Sequence, residues 1–129
     1  MIKSKYISDV IELLLDGDDN GKAAKSQIPF LSDINCEYTN GGGVFISFSH
    51  SAEIVAYRIA QDNIVLNGVT INSPELEIGA DATVFLTNGI IDYLEIWSFD
   101  GNYPDHELAN YTLQQTWKDS TGRAINENK

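Results

Sequence analysis

The fold is decided by one stretch of sequence, ATVFLTNGIIDYLEIWSF, at residues 82–99. Residues that favour strands, the β-branched and aromatic ones, lie on both sides of the dipeptide Asn88-Gly89. An Asn-Gly pair between two such runs is typical of a two-residue type I′ turn. The stretch therefore predicts an antiparallel hairpin with strands at residues 82–87 and 90–99.

The two-residue loop pairs Thr87 with Ile90 and Phe85 with Asp92, and this register fixes which side chains share a face of the sheet. One face is predicted to carry Val84, Leu86, Ile91, Tyr93, Glu95, Trp97 and Phe99. The other face is predicted to carry Thr83, Phe85, Thr87, Ile90, Asp92, Leu94 and Ile96. We expect the first face to be the core. The second, half-apolar face is then either covered by another part of the chain or open to a partner.

Further strands are predicted upstream of this hairpin. Residues 44–49 (VFISFS) alternate like a strand and follow a turn at Gly41-Gly42-Gly43. A second Asn-Gly dipeptide, at residues 67–68, separates two short β-branched runs at 64–66 and 69–71 and predicts a second hairpin. Residues 54–60 are apolar, and their sequence leaves the type of element open.

The N-terminal region has helical periodicity. Apolar residues recur every three or four positions over residues 4–15, which predicts an amphipathic helix. A second helix is predicted over residues 20–31, with Asn20 as its N-cap and Pro29 ending or kinking it by Ile28. The chain is thus predicted to be α+β, with two N-terminal helices packed on a twisted, mainly antiparallel sheet of five to six strands that contains two Asn-Gly hairpins. The 129 residues fit one domain at 1–117, followed by a frayed, polar C-terminal tail at 118–129.

The charge of the chain is concentrated in its middle. Residues 26–117 contain twelve acidic residues and a single base, Arg58, so this stretch carries the whole net charge of −11. Such a surface repels nucleic acid and anionic lipid, and it attracts a basic protein. The acids of the second half of this stretch are our candidate partner-binding residues: Glu75, Glu77, Asp81, Asp92, Glu95, Asp100, Asp105 and Glu107.

The sequence also bears on location. The N-terminus leads into an amphipathic pattern that contains Asp9 and Glu12, where a signal peptide needs an uninterrupted apolar stretch. No apolar run approaches about 18 residues, the minimum for a membrane-spanning helix. We predict a soluble cytoplasmic protein without membrane contact.

Residues 16–21 (DGDDNG) match the opening of a calcium-binding loop, with Asp16, Asp18 and Asn20 at ligand positions and Gly21 at the required glycine. The twelfth position is Gln27, a neutral amide where a bidentate carboxylate is needed, and the ninth is Ala24. We therefore expect no metal site and interpret the cluster as helix-capping residues.

The remaining residues that could take part in catalysis or binding form no motif. His106 lies between Asp105 and Glu107, and immediate neighbours point in different directions. Cys36 has no basic neighbour to activate it and is expected to be a small buried residue. Trp97 and Trp117 are both candidate interface anchors, although for Trp97, in an apolar strand, a core position is favoured. No pairing of Cys36 with His50, and no pair of carboxylates, is specific enough to predict an enzyme or a cofactor.

The order of elements supports a resemblance. Two helices are followed by the aromatic strand VFISF at 44–48, an acidic turn, the strand pair at 82–95, and the segment WSFDGNYP at 97–104. Over about residues 4–105 this arrangement resembles small bacterial immunity proteins of contact-dependent growth inhibition and related polymorphic toxin systems. The chain departs from that pattern at Trp97 and over residues 54–71, which have no counterpart in it.

This resemblance implies a protein that acts by binding, without catalytic residues or cofactors. Its partner would be a cognate toxin C-terminal domain, and many such toxins are nucleases with basic clefts that an acidic protein can block. Two other functions remain open from the sequence. One is a small acidic adaptor domain without an antitoxin role, and the other is a small enzyme that uses His50, His106 or a carboxylate pair.

Overall fold

The structure is a computed structural model that describes residues 1–39 and 41–128. Two α-helices and two 3-10 helices accompany seven strands. The helical elements are α1 (Lys5–Leu15), α2 (Asp19–Ala24), η1 (Lys25–Phe30) and η2 (Ala52–Tyr57). The strands are β1 (Leu31–Thr39), β2 (Gly43–His50), β3 (Asn63–Asn72), β4 (Ala80–Thr87), β5 (Ile90–Ser98), β6 (Tyr111–Gln115) and β7 (Ala124–Glu127).

All seven strands form one sheet in the order β1-β2-β5-β4-β3-β6-β7, and every neighbouring pair is antiparallel. The α+β class is therefore confirmed. The sheet is larger than the predicted five to six strands, because β1, β6 and β7 lack the strong alternation of apolar residues that marks the central strands.

Helix α1 forms where its periodicity predicts it. Ser4 caps it by accepting a hydrogen bond from the Ile7 amide (3.1 Å), and its apolar stripe is almost completely buried. The helix packs on β3, β4 and β6. We call the opposite face of the sheet the outer face. Along each strand, its side chains alternate with the buried side chains that point toward the helix.

The predicted second helix is shorter than expected. α2 ends at Ala24 and is capped by Asp18, which lies in the calcium-loop-like segment, and its carboxylate accepts from the Gly21 amide at 2.9 Å. The chain then tightens into η1, which contains Pro29. Pro29 removes a backbone donor and disfavours the α conformation of the residue before it, so the α-helix does not continue through this stretch.

The predicted hairpin at Asn67-Gly68 is wrong, because both residues lie within the single strand β3. The strand bulges between Leu66 and Val69, and Gly68 adopts a φ of +97°. A Cβ at Gly68 would lie 3.0 Å from the Cβ of Trp117, so Trp117 fills the space that the missing side chain leaves. The bulge lets β3 pair with β4 in its first part and with both β4 and β6 beyond it.

The Asn88-Gly89 hairpin is present with the predicted turn, and Thr87 pairs with Ile90 as expected. Leu86 also pairs with Ile91 as expected, but beyond that pair the register shifts, because Asp92 forms a bulge and Phe85 pairs with Tyr93 instead. The bulge reverses the face of the sheet to which each later side chain of β5 points. Leu94 and Ile96 are buried in the core, whereas Tyr93, Glu95 and Trp97 lie on the outer face. The predicted core face is therefore correct for Val84, Leu86 and Ile91 and wrong beyond them.

The C-terminal segment is more ordered than the frayed tail we predicted. Residues 124–127 form β7, which pairs with β6, and Thr112 donates a side-chain hydrogen bond to Asn126 at 2.8 Å. Lys129, the last residue of the predicted tail, lies outside the described residues.

Candidate functional site

The candidate site is the outer face of the four strands β1, β2, β5 and β4. It presents four aromatic and three acidic side chains, which we call the aromatic–acidic face: Phe45, Phe85, Tyr93, Trp97, Glu37, Asp81 and Glu95. All seven residues are partly or fully exposed, in contrast to the buried residues that alternate with them along each strand. Val65 continues the face on β3, and its side chain is 57% exposed.

The aromatic side chains form two pairs across neighbouring strands. Phe45 and Trp97 meet nearly at right angles (85°) with ring centroids 5.6 Å apart. Phe85 and Tyr93, which are direct cross-strand partners, stack at 4.3 Å with an angle of 9° between the rings. Such pairs stabilise a sheet from its surface and leave large, rigid apolar areas for a partner.

The three consecutive glycines seat Trp97 on this face. Gly41 has a φ of +83°, and a Cβ at Gly42 would collide with the indole ring of Trp97. A Cβ at Gly43 would collide with the Ile96 carbonyl oxygen. The predicted glycine turn is thus present, and it has a second role, because only residues without side chains let the indole lie against the β1–β2 connection. Trp97 is half-buried and outward, not in the core as predicted.

The carboxylates of the face surround the aromatic pair Phe45–Trp97. Phe45 lies directly between Glu37 on β1 and Glu95 on β5, and Trp97 is the cross-strand partner of Asp81. Within residues 1–39 and 41–128, none of these three carboxylates forms an ion pair or a hydrogen bond. The face therefore offers hydrogen-bond acceptors and ring surfaces without a cation of its own.

The eight acids predicted to bind a partner fall into three places. Asp81 and Glu95 lie on the aromatic–acidic face. Asp92 forms the bulge at the opposite end of β5 and accepts a hydrogen bond from Thr87 at 2.8 Å. The other five lie in the loops between β3 and β4 and between β5 and β6, and we call them the acidic end: Glu75, Glu77, Asp100, Asp105 and Glu107.

The acidic end is partly occupied by contacts within the chain. The Glu75 carboxylate accepts from the Ala109 amide (3.0 Å) and lies 3.7 Å from Nε2 of His106. The Glu107 carboxylate accepts from the Ser4 hydroxyl. These contacts tie the two loops together and to the start of α1, so the acidic end is in part a structural element.

The sequence did not reveal Glu37, Phe45, Phe85 and Tyr93 as members of one site. Glu37 lies on β1, which was not predicted as a separate strand, and the bulge at Asp92 decides where Tyr93 points. The one available signal was the half-apolar composition of the second predicted face, which included Phe85.

The candidate calcium ligands serve structural roles in the described chain. Asp16 pairs with Lys25 and with Arg123, whose Nη1 lies 2.7 Å from the carboxylate. Partial burial by itself would raise the pKa of Asp16, but the hydrogen bonds from the two cations outweigh it and lower that pKa. Gln27 is fully buried and donates to the Gly89 carbonyl (2.8 Å). Among the described residues, no three His, Cys, Asp or Glu side chains are grouped to hold a metal ion.

Cys36 is also placed differently from the prediction, since it is exposed rather than buried. Partial desolvation and the charges of Glu107 and Asp33 raise the pKa of its thiol, which opposes formation of a reactive thiolate. A cleft of about 450 Å³ lies on the other side of the molecule and includes Asp16, Trp117 and Arg123. The charged groups of Asp16 and Arg123 pair with each other there, so they form no convergent acid–base couple.

Comparison with known proteins finds no family model that matches the chain, and no significant match among curated proteins or solved structures. In the described part of the chain, every helix is too short or too polar to cross a lipid bilayer.

Proposed function

We propose that this protein is an immunity protein that acts in the bacterial cytoplasm by binding a cognate toxin C-terminal domain, a basic nuclease, and neutralising it. The aromatic–acidic face is the proposed binding surface. The observation that carries the proposal is the set of unpaired carboxylates around rigid, half-exposed aromatic pairs. The resemblance of residues 4–105 to immunity proteins supports the same function.

The two kinds of side chain have different roles in this mechanism. The carboxylates attract a basic surface over distance and form charge-assisted hydrogen bonds on contact, which increases the association rate and sets the orientation. The aromatic pairs are large and already ordered, so burying them costs little conformational entropy and slows dissociation. A nuclease presents basic side chains where it holds phosphates, and an acidic protein that covers them excludes the nucleic acid.

The unpaired acids on this face also argue against a purely structural role for it. Like charges that lie close together on neighbouring strands destabilise a sheet, and Asp81 on β4 is a diagonal neighbour of Glu95 on β5. A surface that served stability alone would gain from a lysine or arginine between them.

The test is co-expression with the toxic C-terminal domain encoded beside this protein. We expect cells to survive only when the protein is present, and the purified pair to form a one-to-one complex whose affinity falls as salt rises. The matched variants are E37Q/D81N/E95Q on the face and D19N/E53Q/D62N on exposed acids elsewhere, which remove the same charge. Loss of protection with the first variant and retention with the second is the expected outcome. Growth arrest despite the wild-type protein, with no complex, would contradict the proposal and leave an adaptor role.

A further inference from the structure

We infer that the centre of the aromatic–acidic face recognises arginine side chains of the partner in preference to lysine. This inference rests on the proposed function and concerns the chemistry of the same surface. It depends on the Phe45–Trp97 pair and on the three carboxylates that surround it.

The arrangement of this centre follows from the strand register. Phe45 has Glu37 on one neighbouring strand and Glu95 on the other, and adjacent strands lie about 4.8 Å apart. Trp97 has Asp81 opposite it on β4 and Glu95 two residues before it on β5. Carboxylates therefore lie beside the rings on both sides, and the described residues supply no cation to neutralise them.

The groups in this centre match a guanidinium better than an ammonium. A guanidinium is planar, stacks on ring faces and donates two parallel hydrogen bonds to a carboxylate. An ammonium is a compact point charge that holds its water more strongly and gains less from a ring. Because Phe45 and Trp97 meet at 85°, a planar group that stacks on one ring presents its own edge to the face of the other, which fixes its orientation.

The second aromatic pair has different surroundings and a different expected contact. Phe85 and Tyr93 stack closely, so no group enters between them, and their cross-strand neighbours are Ser47 and Val65. This half of the face fits an apolar side chain. Tyr93 and Trp97 are four residues apart on β5, so the arginine and the apolar anchor of the partner should lie about 13 Å apart.

The probes are tetra-arginine and tetra-lysine amides, which carry equal charge. The protein used is the full-length W117F variant, in which the fluorescence of Trp97 alone reports binding. We expect the arginine peptide to change this fluorescence and to bind about fivefold more tightly than the lysine peptide, the difference that ring contacts of a guanidinium supply. E95Q should reduce the preference for arginine, whereas D19N/E53Q/D62N should not change it. A thermal melt of each variant verifies that it is folded.

Equal affinities for the two peptides, or no binding of either, would overturn the inference. In that case the proposed function can still stand, because protection against the toxin is measured separately by co-expression. Selective binding of arginine without protection against any adjacent toxin would instead contradict the proposed function and leave the arginine site intact.

Discussion

The acids at the two ends of the chain and those on the aromatic–acidic face have opposite surroundings. At the ends, Lys5 pairs with Asp9 (2.7 Å) and Glu127 (3.0 Å), and Arg123 pairs with Glu12 (2.6 Å) and with Asp16. These contacts join α1 to β7 and to the loop before it. On the face, Glu37, Asp81 and Glu95 have no such partner in the described chain.

This difference separates two uses of negative charge. The paired acids hold a short edge strand with no buried residue against the rest of the molecule. The unpaired acids stabilise nothing within the chain, and their mutual repulsion opposes folding. Acids that lack an internal partner and surround exposed rings are the ones available to an external cation.

The largest expected effect is on binding. Replacing the face acids in E37Q/D81N/E95Q should weaken the complex with the toxin domain about 100-fold, since close charge pairs across an interface contribute strongly to affinity. Titration calorimetry measures the change. E12Q, which removes one of the paired acids, should bind like the wild type. An equal loss of affinity in both variants would contradict the distinction between paired and unpaired acids.

The next effect is on stability. D16N should lower the free energy of unfolding by about 2 kcal/mol, because Asp16 accepts hydrogen bonds from two cations and from Gln115 in a half-buried position. Urea unfolding measures this loss, and an unchanged dependence of the unfolding free energy on urea concentration verifies that only stability has changed. A variant as stable as the wild type would show that the ion pairs of Asp16 contribute nothing.

The ion pairs of Asp16 also predict that the stability of the protein depends on pH. The pKa of Asp16 is lowered in the folded state, so its contribution is present above its unfolded pKa of about 4 and is lost as the pH falls through the folded value. The stability difference between wild type and D16N should therefore shrink between about pH 5 and pH 2. A difference that stays constant over this range would contradict the ion-pair explanation.

The smallest effect has the opposite sign. E37Q/D81N/E95Q should be more stable than the wild type by about 0.5 kcal/mol, because it removes repulsion between neighbouring strands. The same urea experiment measures it, with D19N/E53Q/D62N as the control for net charge. A clear loss of stability would mean that the face acids have a structural role after all.

The parts of the fold that local sequence determines were predicted correctly. Helix α1 follows from its apolar period, and the turn at Asn88-Gly89 follows from its dipeptide. At Asn67-Gly68 the same dipeptide gives a bulge, because β6 and Trp117 pack against the glycine and keep the strand continuous. Local sequence does not contain that tertiary contact.

The site was predicted less completely than the fold. The excess of acids identified the middle of the chain as a binding region, but only Asp81 and Glu95 of the eight candidates lie on the aromatic–acidic face. The bulge at Asp92 is one residue long and changes the direction of every later side chain of β5. Without it, Tyr93 and Trp97 would point into the core and the face would not exist.

The most direct test of the account maps the surface that the toxin domain covers, by amide chemical-shift changes in the complex. The account predicts the largest changes in the central strands, at residues 43–47, 81–85 and 93–97, with little change in α1 and β7. A footprint on α1 and β7, or one confined to the acidic end, would contradict it.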